Sequence, residues 1–157
     1  TARNVGQLPN FYNYKPSARR GYLFDEVTPL FPFGWGLSYT TFNLAAPQLS
    51  ATSIKAGEGV TVTVRVTNTG KRAGDEVVQV YLRDEVSSVT RPVKELVGFR
   101  RVTLQPGESR DVSIAIEPRA FAMWNIDMKR VTEPGTFQIM TGSNSAELQS
   151  VKLEVTP

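Results

Sequence analysis

The chain has 157 residues, a formal net charge of +3 and a pI near 9.3, with 40% hydrophobic and 21% charged residues. It contains no cysteine and no histidine, which excludes disulfides, thiolate catalysis, histidine-ligated metals and a Ser-His-Asp triad. No apolar run approaches the roughly 20 residues that span a bilayer. We therefore predict a globular protein with no membrane partner, no metal and no other cofactor.

The basic residues are scattered along the chain in isolated pairs: Arg19-Arg20, Lys71-Arg72, Arg100-Arg101 and Lys129-Arg130. Acidic residues lie close to most of these pairs. Nucleic-acid-binding proteins instead concentrate Lys and Arg on one face or along one helix. We therefore predict no nucleic-acid partner and interpret the pairs as solvated surface charge.

Residues 1–42 form a first region that is rich in aromatic side chains but has no regular period. Prolines interrupt every stretch that could form a helix or strand. The ten aromatic residues are Phe11, Tyr12, Tyr14, Tyr22, Phe24, Phe31, Phe33, Trp35, Tyr39 and Phe42. A disordered tail would be poor in such residues. We predict an irregular, extended arm that lies against another surface, with residues 31–42 packed onto the domain that follows.

Residues 43–157 read as a series of short strands. Valines at 60, 62, 64 and 66 alternate with polar residues, which is typical of a half-buried strand. Residues 76–82 are nearly apolar on both faces, as in a central strand. A weaker strand is predicted at 93–104, and Pro106-Gly107 forms a turn.

The remaining strands are indicated by alternation at 111–116, 136–141 and 146–155, and an opening strand is expected near 49–54. About seven strands separated by turn signals predict an all-β antiparallel sandwich of immunoglobulin or fibronectin type III topology. A short turn near 118–122 replaces any convincing helix. The predicted core consists of Val62, Val64, Val80, Leu82, Val112, Ile114, Phe137, Ile139 and Leu153.

One dense motif stands directly before the strands: Phe31-Pro32-Phe33-Gly34-Trp35-Gly36-Leu37-Ser38-Tyr39-Thr40-Thr41-Phe42. Gly34 and Gly36 are predicted to be positions where the backbone turns tightly or approaches another segment. The motif resembles the segment that joins the second catalytic domain of glycoside hydrolase family 3 enzymes to their C-terminal fibronectin type III-like domain. Trp35 stands where that family more often has Tyr.

The resemblance continues along the chain in several motifs that keep the family's order. They are Val5-Gly6-Gln7-Leu8-Pro9, Tyr22-Leu23-Phe24-Asp25, Asn68-Thr69-Gly70, Gly74-Asp75-Glu76-Val77-Val78-Gln79-Val80-Tyr81-Leu82, Arg91-Pro92-Val93-Lys94-Glu95-Leu96-Val97-Gly98-Phe99 and Glu133-Pro134-Gly135. Within the family, the sequence is most similar to bacterial periplasmic β-glucosidases. The resemblance divides the chain into a joining arm, 1–42, and a fibronectin type III-like domain, 43–157.

The resemblance implies a non-catalytic role within a retaining β-glycosidase of the periplasm or the extracellular space. The family's nucleophile and acid/base carboxylates lie before the matched stretch, so neither corresponds to a residue here and the chain alone is expected to be inactive. The expected partners are the catalytic domains of a parent enzyme that hydrolyses β-glucosides or β-xylosides, and a second copy in a homodimer. Because Thr1 is not an initiator Met, we expect a piece of a longer protein.

Three local features are candidates for sites. The carboxylate pairs Asp25-Glu26, Asp75-Glu76 and Asp84-Glu85 are expected to be structural, because neighbours on a strand point to opposite faces. The loop 84–92 is an ordinary connection or one that approaches a sugar site. Phe121 and Trp124 either pack in the core or an interface, or form the stacking platform of a carbohydrate-binding module. No catalytic or substrate-binding residue is assigned.

Overall fold

The computed structural model describes residues 1–7, 10–16 and 26–157. The predictions for Arg19-Arg20, Tyr22, Phe24 and Asp25 lie outside these residues. The strands are β1 (Phe42–Leu44), β2 (Gln48–Leu49), β3 (Ser53–Lys55), β4 (Val60–Asn68), β5 (Gly74–Asp84), β6 (Glu95–Leu104), β7 (Ser109–Ile116), β8 (Met123–Trp124), β9 (Arg130–Val131), β10 (Gly135–Gly142) and β11 (Gln149–Thr156).

Two sheets pack face to face. In the first, β1 and β2 pair with successive parts of one edge of β4, and β7 pairs with its other edge. The second sheet has the order β3-β11-β10-β5-β6, in which only the β3–β11 pair is parallel. Strands β8 and β9 form a separate small hairpin. The predicted all-β antiparallel sandwich is confirmed.

The core lies between the two sheets and follows the alternation of the sequence. All nine predicted core residues are buried, none with more than 8% of its surface exposed. In β4 the valines face inward while the intervening Thr and Arg side chains are half-buried or exposed. In β5, by contrast, five consecutive residues from Val78 to Leu82 are buried. This strand is therefore covered on both faces.

The end of β4 is fixed by the buried side chain of Asn68, which uses its full hydrogen-bonding capacity. Its amide nitrogen donates to the carbonyls of Arg72 (2.7 Å) and Leu104 (3.0 Å). Its oxygen accepts from the Gly70 amide (3.0 Å) and the Thr40 hydroxyl (2.8 Å). A buried amide without partners is costly, so Asn68 fixes the relative positions of two turns and the start of β1.

The prediction missed some details at the ends of the sandwich. The opening strand divides into β2 in one sheet and β3 in the other, and the hairpin of β8 and β9 was not expected. The predicted turn near 118–122 is a 3-10 turn, Pro118–Ala120. These elements have only two or three residues each, too few to show a period in the sequence.

We expect Leu153→Ala to lower the free energy of unfolding by about 2–5 kcal/mol, because Leu153 has no exposed surface and its truncation leaves a cavity. The adjacent Glu154→Ala is the control, since Glu154 lies on the exposed face of the same strand. Urea denaturation measures both. Equal effects would mean that the assigned register of β11 is wrong by one residue.

Candidate functional site

Three aromatic rings anchor the arm to the outer face of β5. Tyr81 has no exposed surface and points away from the core, opposite to Val80. The ring of Tyr12 meets it edge to face with a centroid distance of 6.0 Å, and Phe33 stacks on Tyr12 at 4.2 Å. The Tyr12 hydroxyl also accepts a hydrogen bond from the Leu96 amide (3.2 Å). Tyr12 and Phe33 thus belong to a third layer over the second sheet.

Gln79 connects this layer to the backbone of the joining motif, residues 31–42. Its side-chain nitrogen donates to the carbonyl of Ser143 (2.6 Å) and to the carbonyl of Gly34 (3.3 Å). Its oxygen accepts from the Tyr81 hydroxyl (2.5 Å). Gln79 is 6% exposed, so these bonds satisfy an amide that water scarcely reaches. One side chain therefore joins the arm, β5 and the loop between β10 and β11.

The two glycines of the joining motif differ in their surroundings. Gly34 has a φ of +80°, and a Cβ atom there would overlap the side-chain oxygen of Gln79. Both the backbone conformation and the close approach require glycine. A Cβ atom on Gly36 would meet nothing within 4 Å among the described residues, and the φ of Gly36 is not positive. The prediction is therefore confirmed for Gly34 and wrong for Gly36 within this part of the chain.

The end of the joining motif is tied to the corner that Asn68 fixes. The Thr40 hydroxyl binds the Asn68 side chain, and the Thr69 amide donates to the carbonyl of Thr41 (2.9 Å). A Cβ atom on Gly70 would overlap the Thr40 hydroxyl oxygen. The backbone of the motif is thus held at both ends, near Gly34 and near Thr40.

Several side chains of the joining motif, however, are exposed instead of packed on the sandwich. Leu37 is 93% exposed and Tyr39 is 95% exposed, although both are large and apolar. The side-chain surfaces of Phe31, Phe33 and Trp35 are each nearly half exposed. The prediction that residues 31–42 pack onto the sandwich is therefore wrong for Leu37 and Tyr39 and confirmed for Phe42, which packs against the core. Between Gly34 and Thr41, hydrogen bonds and not apolar burial hold the segment.

A cavity of about 520 Å³ lies where the arm meets the sandwich. Aromatic rings of the arm form much of its wall, and Lys94, Ser145 and Ala146 form its sandwich side. The Ser145 amide donates to the carbonyl of Phe33 (2.8 Å), and the Lys94 ammonium donates to the carbonyl of Ser145. The described aromatic residues of this wall are Phe11, Tyr12, Tyr14, Phe31 and Phe33.

The carboxylate pair at the start of β5 separates onto two faces. Asp75 accepts hydrogen bonds from Thr103 and Arg101, which lower the pKa of its carboxyl group. The neighbouring Glu76 points to the other face, where burial raises its pKa. The carboxyl groups of Asp75 and Glu76 therefore do not converge. The pair Asp25-Glu26 cannot be compared, because Asp25 lies outside the described residues.

The pair at the end of β5 also separates. The Asp84 side chain is 3% exposed and lies 3.3 Å from the Arg91 guanidinium, and burial raises its pKa despite that cation. Glu85 accepts a hydrogen bond from Gln138 (2.7 Å) and pairs with Lys152 (3.3 Å), and these partners lower its pKa. Each carboxylate serves a different structural contact.

The loop 84–92 is held at both sides of the sandwich end. Ser88 donates through its amide and hydroxyl to Glu133, which lowers the pKa of that carboxyl group. Arg91 donates to the carbonyl of Phe121 (3.2 Å), and Val86 at the tip is 81% exposed. The loop is a fixed connection in this chain, and whether it approaches a sugar site stays a prediction.

Phe121 and Trp124 do not share a surface. Phe121 is 1% exposed and meets Phe137 edge to face at 5.3 Å in the core. Trp124 is 60% exposed on the hairpin of β8 and β9. Core packing is confirmed for Phe121. Trp124 lies outside the core, and its packing in an interface stays a prediction. These two side chains therefore cannot form the coplanar platform that a carbohydrate-binding module would need.

Gln79, Tyr81 and Tyr12 carry no site prediction from the sequence, although they position the described part of the arm near Phe33 and Gly34. The signal that could have identified them is the strand at 76–82, which is apolar on both faces. A Gln and a Tyr on the face opposite the core valines require a cover with hydrogen-bonding groups. The aromatic arm immediately before the sandwich is the segment that supplies it.

The described side chains offer no metal site. Among residues 1–7, 10–16 and 26–157, no group of three His, Cys, Asp or Glu side chains is arranged to hold a metal ion. No helix in that part of the chain combines the length and apolar character needed to cross a bilayer.

The basic pair Arg100-Arg101 was interpreted from the sequence as surface charge. In the structure, Arg101 forms an ion pair with Asp75.

Comparison with known proteins shows which proteins share this sequence and this fold. Residues 76–145 match the family described as the fibronectin type III-like domain. The chain is 50% identical to a β-xylosidase of Formosa agariphila and 43% identical to a periplasmic β-glucosidase of Salmonella typhimurium, in each case over 98% of its length. A β-glucosidase structure from Erythrobacter marinus is 46% identical over 99% of the chain, with a TM-score of 0.94.

The sandwich and these matches show that the chain contains a fibronectin type III-like domain. The chain covers only 22%, 21% and 21% of the three relatives, respectively. It belongs to the C-terminal type of fibronectin type III-like domain found in glycoside hydrolase family 3 β-glucosidases and β-xylosidases.

We expect Gly34→Ala to detach the joining motif from β5, because alanine disfavours positive φ and its methyl group would displace the Gln79 amide. The free energy of unfolding should fall by about 1–3 kcal/mol. Gly36→Ala is the matched control and should change it by less than about 0.5 kcal/mol. Denaturant titration and the rate of proteolysis within 31–42 measure the difference. Equal behaviour of the two variants would contradict the proposed anchor.

We expect the protein to lose stability above pH 10 through Tyr81. Burial, with a smaller contribution from Tyr12, raises the pKa of Tyr81 above its ordinary value near 10. The unfolded chain then releases this proton at a pH where the folded chain keeps it, so the free energy of unfolding decreases by up to about 1.4 kcal/mol per pH unit.

Tyr81→Phe should remove this component of the alkaline loss, which is measured by denaturant titration between pH 8 and 12. At neutral pH the free energy of unfolding of the same variant should be lower by about 1–2 kcal/mol, because the Gln79 oxygen loses its hydrogen-bond donor. Tyr39→Phe is the control, since Tyr39 is 95% exposed. An unchanged alkaline slope in Tyr81→Phe would show that other tyrosines cause the loss.

Proposed function

We propose that this domain is a non-catalytic structural module of a larger retaining β-glycosidase, and that its joining arm is the surface on which the catalytic domains dock. The observation that carries the proposal is the geometry of the joining motif. Its backbone is clamped to the sandwich at Gly34 and Thr40, while Leu37 and Tyr39 are almost fully exposed. Large apolar side chains on a fixed backbone are typical of a surface that a partner covers.

The composition of the exposed surface supports a domain–domain contact. Phe31, Phe33, Trp35, Leu37 and Tyr39 come from nine consecutive residues, and Phe11 and Leu30 are also about half exposed. Aromatic side chains are enriched at the cores of protein interfaces. Side chains from a neighbouring domain could also fill the aromatic cavity of about 520 Å³ beneath the arm.

The activity of the larger protein is inferred from its relatives. Those described above are named as a β-xylosidase and two β-glucosidases, and one is named as periplasmic. We propose that the parent removes terminal β-linked glucose or xylose units, with its catalytic carboxylates outside this chain, and that it acts in the periplasm or after secretion. A homodimer in which this domain takes part is also proposed.

The test places the double variant Leu37→Asp with Tyr39→Asp in two settings, the full-length protein and the 157-residue chain. In the full-length protein we expect a melting temperature lower by several degrees and weaker hydrolysis of aryl β-glycosides, because two charges would be placed in a buried interface. In the 157-residue chain, where both positions are exposed, the stability should change by less than about 0.5 kcal/mol.

Hydrogen exchange gives a second measurement without substitutions. The amides of residues 37–39 should exchange more slowly in the full-length protein than in the 157-residue chain. Equal exchange, together with an unchanged melting temperature in the double variant, would overturn the proposal.

A further inference from the structure

The tip of the β8–β9 hairpin, residues 124–130, is held by hydrogen bonds of its own, and its apolar side chains do not pack against the sandwich. The Asn125 side-chain oxygen accepts hydrogen bonds from the amides of Asp127 (3.0 Å) and Lys129 (2.9 Å), and the Asn125 amide donates to the Lys129 carbonyl (2.9 Å). Met128 has a φ of 57°, which is uncommon outside glycine. These bonds hold the tip in one conformation.

The fixed tip presents apolar side chains to solvent. Trp124 is 60% exposed, Ile126 is 83% exposed and Met128 is 74% exposed. Lys129 and Arg130 flank these side chains, and no carboxylate among the described residues lies within ion-pair distance of either cation. Asp127 is also exposed, between Ile126 and Met128, and the Arg130 side chain donates to the carbonyl of Arg119 (3.1 Å). The surface is therefore apolar with one carboxylate in its middle, and Lys129 and Arg130 make one border positively charged.

The size of the tip restricts its partner. Three such side chains offer on the order of 400 Å², which is less than the roughly 800 Å² that each partner of a stable interface buries. A domain on the same polypeptide needs less area, because the linkage gives it an effective concentration in the millimolar range. The relatives are about five times longer than this chain, which covers 22% and 21% of two of them.

A run of contacts connects the hairpin with the arm. The carbonyl of Phe121, two residues before β8, accepts a hydrogen bond from Arg91. Val93, two residues further on, donates its amide to the carbonyl of Tyr14 in the arm (2.9 Å). These two hydrogen bonds place the Tyr14 segment of the arm and the start of the hairpin on either side of residues 91–93.

From the rigid turn, the apolar tip, the small area and this connection, we infer that the hairpin tip is a second docking point. It inserts Trp124, Ile126 and Met128 into an apolar pocket, bordered by carboxylates, on another domain of the same polypeptide. This inference rests on the proposed function, because it requires that larger polypeptide.

The test places a photo-crosslinker at the tip in the full-length protein, as Ile126→p-benzoylphenylalanine. Irradiation should join this residue to a peptide outside residues 1–157 of the same chain, identified by mass spectrometry. The yield should exceed that of Ser113→p-benzoylphenylalanine at least tenfold, since Ser113 is exposed on β7 of the first sheet, whereas the arm covers the second sheet. Lys129→Glu in the same background should lower the yield severalfold, because it reverses the charge facing the carboxylates.

Two results would overturn the inference: a crosslink between two chains, which would make a second copy the partner, or a yield equal to that at Ser113, which would leave the tip in solvent. Tyr39→p-benzoylphenylalanine separates this failure from that of the proposed function. If Tyr39 crosslinks within the chain and Ile126 does not, only the second docking point is wrong. If neither crosslinks, the docking role of the domain is wrong as well.

Discussion

The hydrogen bond from the buried Gln79 amide to the carbonyl of Gly34 is the contact on which the position of the arm depends. A buried amide must keep its partners, and the other partners of Gln79 are Tyr81 and Ser143. A shift of the arm would therefore disturb β5 and the β10–β11 loop together. The Tyr12 ring adds an apolar contact with Tyr81 at the same place. The hydrogen bonds of Gln79 and the packing of the aromatic rings therefore favour the same position of the arm on β5.

This anchoring explains how a segment without regular structure can present a defined surface. The backbone near Gly34 and Thr40 is fixed by bonds to the sandwich, so Leu37 and Tyr39 project from a held loop rather than from a free tail. A partner that binds such a surface loses little conformational entropy in ordering it. At the other end of the sandwich, the Asn125 turn holds the β8–β9 hairpin in the same manner.

The sequence predicted those parts of the fold in which a period is long enough to be read. The valines of β4 and the alternation around Leu153 gave the sandwich and its core correctly. The packing of the arm was harder to predict, because the aromatic content of residues 31–42 indicates that the side chains are buried but does not indicate which surface covers them. The sandwich covers only some of these rings, which is why Tyr39 is exposed in this chain. For Trp124 the sequence left core and interface open, because a strand of two residues has too few positions to distinguish an inward from an outward face.

The burial of β5 on both faces means that the folding unit and the predicted domain boundary do not coincide. A protein that began at residue 43 would keep every core valine but would expose Tyr81 and leave the Gln79 amide without Gly34. When domains of this type are exchanged between enzymes, by recombination in evolution or by protein engineering, the exchanged unit keeps these contacts only if it carries Tyr12 and Gly34 with it. A junction placed before Tyr12 preserves the cover of β5, whereas a junction at the first strand removes it.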